Sequence, residues 1–164
     1  METLFILDEG GYSEGMELIS RYASRAVIVG ADGRIAMQRD KNGEYKLPGG
    51  GIEPGEDEME ALCREVSEET GMTVIRDSVR EIGVIIERRR DIYSPEKRYE
   101  SHSYCYFCSC EQAVGQTSLT EHEQYHGYKL EWASFEQIMQ ANTRYPWSQR
   151  DTRLLALLRE RGEI

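Results

Sequence analysis

Residues Gly50–Met72 read GGIEPGEDEMEALCREVSEETGM, and the placement of acid in this stretch decides the fold. Glu65, Glu68 and Glu69 stand at i, i+3 and i+4, so three carboxylates share one face of the predicted helix. Like charges at that spacing destabilise a helix by roughly 0.2–0.5 kcal/mol per pair. They also fall in the last turn, where the helix dipole disfavours anions. A local rule broken this plainly marks a functional site rather than a stabilising element.

The remainder of the stretch holds those carboxylates in place. Asp57 with Glu60 three residues later reads as an N-cap and its capping-box partner. Pro54-Gly55 marks a turn before the helix, and Gly71 is placed as the C′ residue that ends it. Met59, Leu62, Cys63 and Val66 recur at helical spacing as the buried stripe. That stripe lies roughly 120° around the axis from the glutamates, so one face anchors while another presents acid. Ala61, beside the glutamates, is expected to leave room for an approaching group. Arg64, four residues before Glu68, is placed to pair with it. Hard cations such as Mg²⁺ take oxygen ligands and share them with substrate phosphates. Bound that way, such ions polarise a phosphoryl group and activate water. A merely solvated acidic face would require the acids, the arginine, the glycines and the caps to coincide by chance.

These residues resemble a known family. Gly50, Glu56, Arg64, Glu65, Val66, Glu68, Glu69, Gly71 and Met72 match the pattern G-x5-E-x7-R-E-U-x-E-E-x-G-U, with U aliphatic or Met, which is the Nudix box of the Nudix hydrolases. Leu47-Pro48-Gly49-Gly50-Gly51 resembles the approach to that box. The resemblance implies an α/β fold: an α/β/α sandwich with a mixed β-sheet and the box as a loop–helix–loop motif, here a single domain over residues 1–164. It implies divalent-metal-dependent hydrolysis of a nucleoside diphosphate linked to a group X. It also implies Glu65, Glu68 and Glu69 as ligands of Mg²⁺, with Mn²⁺ as a substitute. A backbone carbonyl of Gly49 or Gly50 would be a further ligand, and Glu56 and Arg64 would support the helix. The small size resembles members that handle nucleoside triphosphates, oxidised ones included. ADP-ribose and other nucleotide derivatives are the alternative substrates, and a non-catalytic nucleotide sensor is the alternative class. Sensors usually lose box glutamates, and none is lost here.

Composition is compatible with this. The 164 residues carry a net charge of −10 and are 39% hydrophobic, as expected of a folded domain. That acidity argues against a nucleic-acid polymer as partner, while the resemblance implies a small-molecule nucleotide substrate. No apolar run approaches a membrane span, and METLFILDEGG lacks the basic start and small-residue cleavage site of a signal peptide, so a cytoplasmic protein is expected. Strand Thr3–Leu7 and the basic hairpin could support a homodimer.

Outside the box the sequence predicts strands Ala23–Gly30, Arg34–Arg39 and Tyr45–Leu47, then a long hairpin of Val79–Arg89 and Arg98–Cys110. A loop from Glu111 to His126 follows, then a strand Tyr128–Trp132, a helix capped by Ser134, and a helix over Ser148–Arg161 with Leu154, Leu155, Leu157 and Leu158 as its stripe. In the loop, Glu121 and Glu123 are candidates for the general base that the family often draws from this region; a solvated acidic loop reads equally well. His122 and His126 are spaced like a metal pair on a helix, but nothing else in the loop reads as helical. Arg39 and Lys46 are candidate phosphate contacts near the glycine-rich turn. Arg88–Arg90 with Lys97 and Arg98 form the one strong basic cluster, able to receive a polyphosphate or to keep a hairpin edge soluble. Cys105, Cys108 and Cys110 read as strand thiols, Cys105 facing away from the other two, rather than half a zinc site.

Overall fold

The computed structural model describes residues 1–111 and 115–164. Its first sheet has the order β1 (Thr3–Asp8), β6 (Arg80–Arg90), β7 (Arg98–Phe107), β2 (Leu18–Val27). β6 and β7 form the antiparallel hairpin, while β1 and β2 join its two sides in parallel, which makes the sheet mixed. A second, antiparallel sheet has the order β4 (Tyr45–Lys46), β3 (Ile35–Arg39), β9 (Lys129–Ala133). A short ladder pairs β5 (Thr73–Val74) with β8 (Cys110–Glu111). The helices are α1 (Glu58–Thr70), α2 (Glu121–His126), α3 (Phe135–Asn142) and α4 (Gln149–Glu160).

Successive strand residues point to opposite faces, and β2 and β7 use this to serve two cores. Ala26 of β2, with Tyr106 and Cys108, packs with Leu62 and Val66 of α1. Val27 and Cys105 pack instead with Ile138 of α3 and Leu154, Leu155 and Leu158 of α4. The result is the expected α/β/α sandwich. Cys105 and Cys108 fall in different cores, Cys105 within β7 and Cys108 just past its end, and the described cysteines are free.

Several boundaries depart from the sequence reading. β2 begins at Leu18, five residues before the predicted start, because it pairs with β7 along its whole length; Ser20 and Arg21 hid the strand pattern. The second hairpin strand stops at Phe107, and Cys110–Glu111 leaves to pair with β5. The predicted loop ends in a helix, α2: Thr120 accepts from Glu123 N and Glu123 returns the bond, a capping box. Residues 112–114 of that loop lie outside the described residues. Ala61 is fully buried and so leaves no open approach. Among the described residues no helix is long and apolar enough to cross a membrane.

Two buried side chains pin β4 where it enters the glycine loop. Asn142 Oδ1 accepts from Tyr45 N at 2.9 Å while its Nδ2 donates to Tyr45 O at 2.8 Å. Asp151 Oδ2 accepts from Leu47 N at 2.9 Å. An unpaired buried polar group costs about 1–3 kcal/mol, so Asn142→Ala, which orphans two, is expected to destabilise by roughly 2–4 kcal/mol. Urea unfolding checks this; a loss under about 0.5 kcal/mol would mean that water replaces the amide.

Candidate active site

The loop after β4 threads between β2 and α1 with no space for a side chain at Gly49 or Gly50. Ser24 N donates to Gly50 O at 3.0 Å and Ala26 N to Pro48 O at 2.9 Å, so the loop runs along β2. Gly49 has φ 135°, and a Cβ there would run into Ser24 O and lie 2.9 Å from Arg25 Cα. A Cβ on Gly50 would lie 2.5 Å from the Glu65 carboxyl carbon. These glycines let the loop backbone touch the acidic face of α1.

The helix is fixed at both ends. Asp57 Oδ1 accepts from Glu60 N at 2.8 Å and Glu60 Oε2 from Asp57 N at 2.9 Å, the predicted capping box. Gly71, at φ 73°, donates to Ser67 O. Two more carbonyls of the last turn find partners: Glu68 O accepts from Ser118 N at 2.7 Å and Glu69 O from Gln38 Nε2 at 2.6 Å. Such bonds satisfy the carbonyls that a helix C-terminus leaves open.

Arg64 organises the acidic face. Its Nε and Nη2 grip both oxygens of Glu56 at 2.8 and 2.9 Å. Nη2 also donates to Gly51 O at 2.9 Å, and Nη1 to Glu65 at 2.8 Å and to Glu68 at 3.2 Å. The guanidinium thus ties loop to helix, and its partners raise its pKa further, the Glu56 bonds most of all. The Glu56 carboxyl is held below its ordinary range by the same pair.

Glu69 has the opposite environment. Its Oε2 accepts from Gly49 N at 2.7 Å, yet burial pushes its pKa up to about 8, against the pull of Gly49 N–H and Arg25, with Glu65 and Glu123 adding to the rise. Burial raises Glu65 as well, against Arg64. A carboxyl whose native pKa lies above its unfolded value stabilises fully below the unfolded value, and that stability is lost as pH rises through the native one. Each pH unit in which native Glu69 keeps a proton that the unfolded chain has released is worth about 1.4 kcal/mol. The metal-free protein is therefore expected to lose thermal stability from the ordinary carboxyl range up to pH about 8, and Glu69→Gln to flatten that slope. Melting curves in chelator at stepped pH read it out; identical slopes in both proteins would contradict the assignment.

The glutamates line a cavity of about 760 Å³, together with Gly49, Gly50, Lys46, Arg64 and Glu123. Eight carboxylates and five cationic side chains face it, so an anionic ligand meets net negative charge unless cations enter with it. The carboxylates of Glu65, Glu68 and Glu69 and the Gly49 and Gly50 carbonyls offer oxygen donors, which fits a hard divalent cation, and His122 also lines the cavity. Glu69, an acid whose pKa is raised by burial and further by Glu65 and Glu123, fits the same group. Glu65 and Glu68 are turned onto Arg64, and among the described residues no three His, Cys, Asp or Glu side chains meet at one point. The Gly49 and Gly50 carbonyls each accept one hydrogen bond, from Arg25 Nη1 and Ser24 N, which leaves each a second lone pair.

Two sequence candidates fall elsewhere. Arg39 is exposed, pairs with Glu131 at 3.2 Å and does not line the cavity. Glu121 is exposed on α2 and does not line it either, whereas Glu123 does, although its Oε2 now accepts from Thr120 N at 2.7 Å. Lys46 lines the cavity with its Nζ 5.0 Å from the Tyr128 ring centroid. His122 and His126 sit one turn apart on α2 with ring centroids at 4.4 Å. The sequence reading missed the basic wall opposite the glutamates: Arg21 and Arg25 from β2 and Arg150 from α4. Arg21 and Arg25 share a strand face, so their spacing of four was the available signal. Arg150 is bound to Asp151 at 2.7 Å and to Glu87 at 3.5 Å, and only the fold brings it there.

Residues 20–158 match the NUDIX domain, so the chain belongs to the Nudix hydrolase family. The match leaves out β1, which extends the sheet beyond it. A MutT protein from Methanosarcina mazei Go1 is similar in fold with TM-score 0.56 and 21% identity over 93% of this chain and all of that one. A MutT NUDIX hydrolase from Burkholderia pseudomallei has TM-score 0.59 and 21% identity over 84% of this chain and 97% of that one. A NUDIX hydrolase from Nitrosomonas europaea has TM-score 0.57 and 18% identity over 88% and 91%. The comparison with curated proteins returned no match.

Proposed function

We propose that this chain is a divalent-metal-dependent hydrolase that cleaves the pyrophosphate linkage of a nucleoside diphosphate bonded to X, with nucleoside triphosphates, oxidised ones included, as its substrate class. The observation that carries the reading is the intact set of Glu65, Glu68 and Glu69, held by Arg64 and the Gly49–Gly51 loop on one cavity. Similarity in fold to MutT proteins supports the substrate class by analogy only.

Glu65, Glu68 and Glu69, with the free lone pairs of Gly49 and Gly50, would hold Mg²⁺ or Mn²⁺, which when bound would neutralise polyphosphate charge and polarise the phosphorus under attack. Arg64 sets the carboxylate positions, and Lys46 approaches a substrate phosphate from the side of β4. Glu123, on the cavity and near enough to Glu69 to raise its pKa, is the proposed acceptor of the attacking water's proton. Water adds to one phosphorus, the anhydride oxygen leaves, and the products are a nucleoside monophosphate and pyrophosphate, or phosphorylated X.

Phosphate and pyrophosphate release across canonical and oxidised nucleoside triphosphates, ADP-ribose, dinucleoside polyphosphates and nucleotide sugars tests this, in Mg²⁺ and in Mn²⁺. Turnover of a nucleoside triphosphate by the wild type and not by Glu69→Gln is the expected result. Silence across the panel in both metals would favour a nucleotide-sensing module instead.

A further inference from the structure

Behind the basic wall lies a second cavity, of about 490 Å³, which shares Arg21, Arg25, Glu87, Trp147 and Arg150 with the glutamate cavity. It is formed by one face of the first sheet. Arg21 and Arg25 of β2, Ser101 and Ser103 of β7, and Glu87 and Arg89 of β6 line it, with α4 above. Its charge is unlike that of the rest of the molecule. Arg21, Arg25, Arg88, Arg89, Arg150 and Arg153 line it against Asp8, Glu9 and Glu87, in a chain whose net charge is −10.

Internal pairing accounts for part of this set. Arg88 pairs with Glu100 at 2.7 Å, and Arg150 is held by Asp151 and Glu87. Asp8 accepts from Tyr12 and from Gly10 N, both at 2.8 Å. Arg25 Nη1 donates to Gly49 O and Arg89 Nη1 to Arg90 O at 3.2 Å, but each guanidinium carries further N–H groups. Among the described residues, Arg25 Nε is buried without a hydrogen-bond partner. Arg153 lies over the Phe5 ring at 4.7 Å and Arg89 over Tyr99 at 4.3 Å, stacked on their faces with guanidinium edges left to donate. Arginines at a solvated hairpin edge would keep an edge soluble, but six arginines against three acids around one concavity, two of them stacked on aromatic rings, form a receptor for planar or tetrahedral oxyanions. A nucleobase is the poorer occupant, since the Tyr99 face is already covered by Arg89.

We propose that this cavity is an anion subsite continuous with the glutamate cavity, and that among the nucleoside diphosphate derivatives the site accepts, one with a further phosphate remote from the cleaved anhydride is bound more tightly than its counterpart without it. This rests on the hydrolase reading, because it adds a second contact region to the same substrate. Arg21 and Arg25, at the junction, would bridge the two phosphate regions, and Arg89 and Arg153, which line only the second cavity, would read the remote group.

Two arms test it. Inorganic pyrophosphate is titrated calorimetrically into the metal-free protein in chelator, where the glutamate site repels it. Binding that weakens at least fivefold in Arg153→Gln and Arg89→Gln, but largely survives in Arg153→Lys, is expected. No binding by the wild type, or equal binding by the glutamine variants, would overturn the subsite. In the second arm, turnover is compared for NADP⁺ and NAD⁺, which differ by one ribose phosphate. Wild type should prefer the phosphorylated member at least tenfold in kcat/KM, through KM, with Arg153→Gln cutting that ratio at least threefold. Equal kcat/KM for the two would contradict the remote phosphate while leaving the hydrolase reading intact. Pyrophosphate binding with no turnover of any nucleotide would keep the anion site and sink the hydrolase instead. Circular dichroism melts confirm that each variant is folded.

Discussion

Glu69→Gln is expected to lower turnover on the order of a thousandfold, about 4 kcal/mol in the barrier, while leaving a protein that is folded and, above pH 8, more stable than the wild type. Both halves follow from one environment. The carboxyl is withdrawn from water and its pKa rises to about 8, while its Oε2 accepts from Gly49 N–H. Glutamine keeps an oxygen for that bond and gives up only the charge, so the buried anion and its desolvation penalty disappear together. The same charge is what the proposed cation needs. Steady-state rates in Mg²⁺ and melting curves in chelator decide the matter. Turnover within tenfold of the wild type would remove Glu69 from the site, and a destabilised but active protein would make it structural.

Arg64→Gln is expected to have the next largest effect, on stability and rate together. One guanidinium serves Glu56 by two bonds and Gly51 O, Glu65 and Glu68 by one each. The pairs are partly buried, Arg64 at 24% exposure and Glu56 at 14%, so solvent screens them only in part. Removing the cation leaves three carboxylates facing one another, for which about 2–4 kcal/mol of lost stability is expected, below the full penalty of a buried pair. Mg²⁺ should restore more stability to this variant than it adds to the wild type, because the ion supplies the missing positive charge. Turnover should fall about a hundredfold as the carboxylates lose their alignment. Chemical unfolding with and without Mg²⁺ reads the first effect; a variant as stable as the wild type, with no larger gain from Mg²⁺, would show that Arg64 only decorates the surface.

What the sequence disclosed about this site follows chain distance. Cap, stripe, glutamates and arginine all lie within one helix and its flanking loops, where spacing alone sets geometry. Asp57, Gly71, Leu62, Val66 and Arg64 accordingly stand where the pattern put them. The close approach of Gly50 to Glu65 was legible only as a run of glycines, since what excludes a Cβ is the partner across the gap. The α2 helix was signalled by Thr120 and Glu123 at capping-box spacing, but six residues leave no apolar period to support it. Glu121 and Glu123 therefore looked equivalent in sequence, and the helix separates them, one outward and one onto the cavity. The basic wall was least legible of all. Arg21 and Arg25 sit in a strand whose polar first half masked it, and Arg150 arrives from 125 residues beyond Arg25 through packing of α4 on the sheet. Arg39 lies off the cavity for a related reason: at the end of β3 it pairs with Glu131 of β9, a partner that only sheet pairing supplies.

The central claim is that Glu65, Glu68 and Glu69 together bind a divalent cation. Mn²⁺ binding, followed as the loss of the free-ion electron paramagnetic resonance signal during titration of the protein, tests this without any substrate. Wild type is expected to bind Mn²⁺ more tightly as pH rises through about 8, where Glu69 gives up its proton, and the Glu65→Gln, Glu68→Gln, Glu69→Gln triple variant to leave the ion free. Equal binding by the folded triple variant, or no binding by the wild type at any pH, would contradict the account.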